Sequence, residues 1–308
     1  MRQRVVGCVL HLLVLVPIIE SCAPSKPAPT TTDSALAERI AGLVDRFVKA
    51  DDDAATASLL ADTRALFERE GVPGTAKVGD AAAYGFVLVN MLGQPPEFRL
   101  QFVARVQEAA ARQELPADAV VFAEARRRQT DVELRYKAHT PTHPELRDEL
   151  ARLLKDDQAV REKAGFDLKK MEAADRRTAG PLKAIFDRHG VPTFDMVGVQ
   201  AAKDFVVMVQ HQPPAFREAV LPKLKANVDA GQAEPGSYAT VYDRTQRDQG
   251  KNQLYGQNFE CSSGKGLDAA PMDDASHVNA RRAEMGLMRL DLYARFLREH
   301  SPNICGAP

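Results

Sequence analysis

Apolar residues recur at three- and four-residue spacing along most of the chain, the period of a helix with one buried face. Residues 35–50, 146–163, 214–230 and 281–298 all follow it. Residues 197–209 are apolar on nearly every side, the pattern of a central buried helix. Gly71-Val72-Pro73 and Gly190-Val191-Pro192 predict helix stops, with Gly just past the end and Pro soon after. A further helix is predicted from Pro235 through Tyr242-Asp243-Arg244. Strand signals are weak except at 252–259 and 266–272, which predict a small hairpin turned by Ser262-Ser263-Gly264-Lys265. The expected fold class is mainly α, with one hairpin.

The same pattern occurs twice. Ala65-Leu-Phe-Glu-Arg-Glu-Gly-Val-Pro73 returns as Ala184-Ile-Phe-Asp-Arg-His-Gly-Val-Pro192, and 12 of 27 positions are identical between 65–91 and 184–210. After a one-residue slip, Gln94-Pro95-Pro96 and Arg99 match Gln212-Pro213-Pro214 and Arg217. This order and spacing predicts a tandem duplication of a helical domain, 35–140 and 145–300, with the hairpin in the second copy. Shared positions are mostly apolar, Gly or Pro, as fold determinants are.

Polar residues confined to the second copy are the candidates for chemistry. Asp157 and Arg161 are four apart on one helix, with Gln158 beside them. One reading aims a carboxylate and a guanidinium at a ligand; the other is a surface ion pair worth about 0.3–0.5 kcal/mol. Gln210-His211 closes the buried helix where the first copy has Met91-Leu92. An imidazole there shuttles protons or complements the helix dipole. Asp243 reads as a base and Arg244 as a bidentate anion clamp, or both as a helix cap. Gln253, Tyr255 and Gln257 crowd an extended run with groups that bond neutral polar ligands. Arg281-Arg282 opens the last predicted helix, where its charge opposes the dipole. His211 and Asp243 are thus the catalytic candidates. Asp157, Gln158, Arg161, Gln210, Arg244, Gln253, Tyr255, Gln257 and Arg281 are the ligand-binding ones. The first copy is degenerate, having lost this set.

Taken jointly, these pieces resemble a bacterial family described only as a domain of unknown function. Its pattern is Asp-Gln-x-x-Arg, Gly-x-Pro, Gln-His, Asp-Arg, Gln-x-Tyr-Gly-Thr-Gln and Arg-Arg…Gly-Leu…Tyr. Here it reads Asp157-Gln158-x-x-Arg161, Gly190-x-Pro192, Gln210-His211, Asp243-Arg244, Gln253-x-Tyr255-Gly256 and Arg281-Arg282…Gly286-Leu287…Tyr293. Gln257-Asn258 stands where the family has Thr-Gln. The resemblance supports a site over residues 146–299 and implies no particular reaction.

The N-terminus reads differently. Arg2 and Arg4 precede an apolar run over 5–19 that is short for a membrane span and suits a signal peptide over 1–22. Ile19-Glu20-Ser21-Cys22 resembles the lipobox of bacterial lipoproteins, with Glu20 a departure and Cys22 the lipidated residue. By that resemblance the protein is exported to the periplasmic side of a bacterial membrane. Ala23, in place of a retaining Asp, favours the outer membrane. Residues 23–34, rich in Pro, Thr and Ser, form a flexible tether. Cys8 lies in the signal and Cys22 at the lipid site, so Cys261 and Cys305 remain to pair in an oxidising compartment. Loop closure by that bond is worth about 4 kcal/mol.

Composition narrows the classes further. With 41 Lys+Arg against 42 Asp+Glu, the net charge of −1 gives no basic excess for nucleic acid. No phosphate loop, nucleophile elbow, His-Glu-x-x-His or CxxC spacing occurs, so no metal or cofactor is expected. Three functions stay open: an envelope module binding a polar ligand such as a cell-wall fragment, a hydrolase or lyase using His211 or Asp243 as base, and a structural lipoprotein.

Overall fold

A computed structural model of the chain describes residues 32–164, 167–262, 266–301 and 305. The signal-like segment 1–22 with Cys22, most of the tether, and residues 263–265 of the hairpin loop lie outside the described residues.

Helix boundaries follow local chemistry. α1 (Ser34–Lys49) starts where the Asp33 carboxylate accepts the Leu36 N–H, and α2 (Asp53–Glu70) where Asp52 accepts that of Ala55. α2 ends at Gly71, whose φ of 67° lets its N–H reach the Phe67 carbonyl at 2.8 Å. α3 (Thr75–Val78), α4 (Asp80–Leu92), α5 (Pro96–Ala111) and α6 (Ala117–Tyr136) complete the first half. α7 (Pro144–Ala164) and α8 (Leu168–His189) open the second. α8 stops as α2 does, with Gly190 at φ 73° and its N–H on Phe186. α9 (Phe194–Val209), kinked at Gly198, α10 (Pro214–Asp229) and α11 (Pro235–Asp248) follow. Antiparallel strands β1 (Phe259–Ser262) and β2 (Gly266–Ala269), then α12 (Val278–Glu284) and α13 (Leu290–His300), end the described chain. The architecture is mainly α with one small hairpin.

Two expected elements come out differently. The hairpin is short: residues 252–258 form a loop whose one bridge, Gln253 to Met272, is isolated and lies outside the two strands. The Asp243 carboxylate takes the Leu254, Tyr255 and Gln257 N–H groups that a partner strand would need. The last helix is also broken, at residues 285–289. Gly286 has φ 67°, and a Cβ there would lie 2.8 Å from Gln129 Nε2 on α6. Arg281 and Arg282 therefore sit in the last turn of α12, where the dipole favours them, and not at a helix start.

The described residues make one compact unit containing two hydrophobic clusters. The first centres on α4, with Phe86, Leu88 and Phe102 of α5, and it also takes Ala283 of α12 and Leu292 of α13. The second centres on α9, with Phe205 and Val209, and it takes Tyr136 of α6. Each cluster is thus completed by the other half of the chain. Arg289 extends the exchange: it lies over the Tyr84 ring and bonds Asp118 at 2.6 Å and Asp80 at 2.7 Å. Arg99 and Arg217, which follow the matching Gln-Pro-Pro stretches, are both buried, paired with Glu133 on α6 and Asp248 on α11 respectively. A Cys261–Cys305 disulfide ties β1 to the residues beyond α13. Among the described residues no helix is long and apolar enough to cross a membrane.

Candidate functional site

The candidate polar residues of the second half fall into two groups. The first gathers around α7. Asp157 is buried (3% exposed) and receives Arg161 in a bidentate pair, Nε to Oδ2 at 2.8 Å and Nη2 to Oδ1 at 3.0 Å. Gln158 donates to the same carboxylate at 3.0 Å. Asp175 of α8 accepts a third bond from Arg161. Burial works against the guanidinium charge, but the bonds to Asp157 and Asp175 outweigh it and raise the Arg161 pKa.

The turn after α9 presents Gln210 and His211 to this pair. The turn is rigid because Gln212 donates to Thr178 of α8 at 3.0 Å and Arg217 donates to the Gln210 and Gln212 carbonyls. Burial, and then the neighbouring Arg161 charge, push the His211 pKa down to about 4. Its imidazole is neutral at pH 7, and Nε2 lies 3.4 Å from the Gln210 amide nitrogen. An amide nitrogen can only donate, so this contact suits an imidazole whose proton is on Nδ1.

A cleft of about 330 Å³ opens beside these groups, walled by α8 (Asp175, Arg176), the turn (His211, Pro213), Arg217 of α10, and Arg244 of α11. Arg161, Arg176 and Arg217 are each engaged by a carboxylate. Arg244 is exposed and, among the described residues, has no hydrogen-bond or ion-pair partner.

The second group faces inward and shapes the 253–258 loop. Asp243 is fully buried; Oδ1 accepts from Leu254 N (2.8 Å) and Tyr255 N (3.1 Å), and Oδ2 from Tyr255 N (3.1 Å) and Gln257 N (2.9 Å). Burial raises its pKa, and the backbone donors work in the opposite direction. The Gln253 amide bonds the Asn258 N–H and the Asn258 and Ala270 carbonyls. Arg281 donates to the Leu254, Asp273 and Asp274 carbonyls, and Arg282 to those of Tyr255, Gly256 and Met288. Tyr255 packs edge-on against Tyr238 and Tyr242, and burial pushes its phenol up to about 12. Gln257 accepts from Thr240 at 3.4 Å. None of these side chains lines the cleft that His211 lines, so His211 and Asp243 do not share a site.

Chemically, the cleft offers hydrogen bonding and one spare cation. A base works best with a pKa near the operating pH, and an imidazole held near 4 is a poor proton acceptor at pH 7 but a good neutral hydrogen-bonding group. Asp243 has its acceptor positions filled by backbone. Sequence reasoning passed over Asp175, which carries no motif around it, and Gln212 and Arg217, which recur in both halves. It chose Arg281 over Arg282, although only Arg282 is buried (1% exposed).

His211 also sets a pH response. Its folded pKa lies below its unfolded value, so its contribution to stability is complete above about pH 6.5 and is lost as pH falls toward 4. The loss amounts to at most about 3 kcal/mol, less for the part of the ring that meets solvent. The drop in urea midpoint from pH 7 to pH 4.5 should be larger in the native chain than in His211→Gln. An NMR titration of His211 centred at 6.5 would refute the depressed value.

The second half is thus a mainly helical unit with one small hairpin, and its His211 cleft lies beside the Asp157–Arg161–Asp175 cluster. The model of a family of unknown function, DUF6624, matches residues 144–302, and the chain belongs to that family. No curated protein and no solved structure matches it.

Proposed function

We propose that this is an exported, lipid-anchored envelope protein whose second half binds a small, polar, weakly anionic ligand, such as a cell-wall fragment, in the cleft at His211 and Arg244. The observation that carries the reading is the unpartnered Arg244 guanidinium beside a neutral imidazole, in a cleft where Arg217 is held by Asp248 and Arg176 lies 3.7 Å from Glu172. An unsatisfied cation facing a concave wall is a ready partner for a ligand carboxylate. The lipobox-like Ile19-Glu20-Ser21-Cys22 and the Cys261–Cys305 bond support export and an oxidising compartment. We read the Asp-Gln-x-x-Arg and Gln-His pieces as the ligand side of the family pattern. The Asp-Arg, Gln-x-Tyr-Gly and Arg-Arg pieces are mainly its loop-holding side, with Arg244 crossing between the two. The first half is a degenerate duplicate that has Leu92 and Ala125 where the cleft has His211 and Arg244. Binding is favoured over hydrolysis or elimination because neither His211 nor Asp243 is placed as an effective base at neutral pH.

Titration of the full chain with soluble muropeptides, followed by NMR, tests this. Arg244→Ala should weaken binding about tenfold or more, the loss of a charge-assisted bond. Its melting temperature should not move, since Arg244 holds nothing within the fold. Equal affinity in native chain and variant, or no binding to the native chain, would refute the reading.

A further inference from the structure

A second cavity, of about 250 Å³, lies between α6 and the elements of the second half, and shares no lining residue with the His211 cleft. Its floor is apolar: Ala125 and Val132 of α6, Phe194 and Val199 of α9, Val228 of α10, and Ala233. Its rim is charged, and most of the charges already have partners. Glu133 takes Arg99, Glu234 takes Lys203 at 3.1 Å, and Asp229 takes Lys225 at 2.6 Å.

Three lining groups are left over. Gln129 donates its amide to the Met285 carbonyl, which leaves Oε1 buried with no donor. Buried acceptors of this kind are normally satisfied. Glu284 of α12 and Arg128 of α6 are exposed at the rim and, among the described residues, have no hydrogen-bond or ion-pair partner. An apolar floor flanked by an unpaired carboxylate and an unpaired guanidinium suits a ligand with an apolar body, an N–H-bearing cation and an anion.

We infer that this cavity binds a free apolar amino acid as its zwitterion. The side chain lies on Val199, Phe194 and Val132. The ammonium faces Glu284 and the carboxylate meets Arg128, with Gln129 also on the lining. Ligands of this size suit the volume, and a few polar groups around an apolar floor are how small-molecule sites achieve selection.

The experiment is an NMR titration of the full chain with L-phenylalanine, with phenethylamine, which lacks the carboxylate, and with 3-phenylpropanoate, which lacks the ammonium. L-phenylalanine should bind saturably, with amide shifts at Gln129, Val199 and Ala233, and each truncated analogue should bind about tenfold more weakly. Val199→Trp, which fills the floor, should abolish binding. Glu284→Gln is an exposed change that leaves folding intact, and it should weaken L-phenylalanine while leaving 3-phenylpropanoate unaltered. Absence of saturable shifts, shifts that map elsewhere, an analogue binding as tightly as the amino acid, or unchanged affinity in Glu284→Gln would each overturn the assignment. The His211 cleft is untouched by these variants, so failure here does not bear on muropeptide binding there.

Discussion

A chain lacking residues 32–143 should lose cooperative unfolding, although the missing part contains none of the cleft residues. α12 and α13 belong to the second half in sequence but bury Ala283 and Leu292 in the first cluster. Exposing them, with the partly buried Met288, forfeits about 3–5 kcal/mol of apolar burial. Arg289 then loses Asp80, Asp118 and the Tyr84 ring, and since its guanidinium then meets water the net loss is about 2–3 kcal/mol more. The exchange runs the other way too. Tyr136 of α6 donates to Asp195 and accepts from Gln232 at 2.9 Å, and its ring packs on Phe194. The combined loss is of the order of the whole stability of a domain. Circular dichroism during thermal unfolding should show a broad, shallow change for 144–308 against a sharp one for the full chain. A sharp transition within a few degrees of the full chain would mean that α12 and α13 find other cover.

The next largest effect is expected from a single side chain. Arg282→Ala should cost about 4 kcal/mol, because it leaves the Tyr255, Gly256 and Met288 carbonyls without their donor in a buried place. It also removes the guanidinium that lies 4.8 Å over the Tyr293 ring. Burial pulls the Arg282 pKa down to about 10, yet it stays charged at neutral pH. Lysine should not rescue it, since a point ammonium cannot span three carbonyls as the planar fork does. Arg281→Ala, whose carbonyl partners lie nearer solvent, should cost roughly 1–2 kcal/mol. Urea midpoints measure all three, and a loss below that of Arg281→Ala would show that water replaces the buried fork.

Both expectations rest on what the sequence pattern conveys and what it does not. Helical period and Gly-Val-Pro stops are local properties, so α1, α7 and α10, and the ends of α2 and α8 at Gly71 and Gly190, were legible to within a few residues. Gly286 was not, because what forbids a side chain there is Gln129, distant in sequence, not a neighbouring residue. The Asp157–Arg161 pair was legible as an i,i+4 spacing, but its depth and its third partner Asp175 depend on how α8 packs on α7. Asp243 shows the limit most clearly. A carboxylate aimed at a ligand and one aimed at backbone N–H groups have the same sequence, and only the fold of residues 253–258 separates them.

The pairing of α13 with α1 has a mechanical consequence. Arg295 bonds Asp45 at 2.7 Å, and His300 meets the Val48 carbonyl at 2.9 Å, so contacts advance in the same direction along both helices. Sixteen residues of α1 span about 24 Å, which places the chain's entry at Asp33 and its exit at Ser301 near opposite ends of that helix. Tension between these two points runs along the seam in shear. Asp45–Arg295, Leu292 and His300–Val48 must then yield together, where a peeling load would break them one at a time.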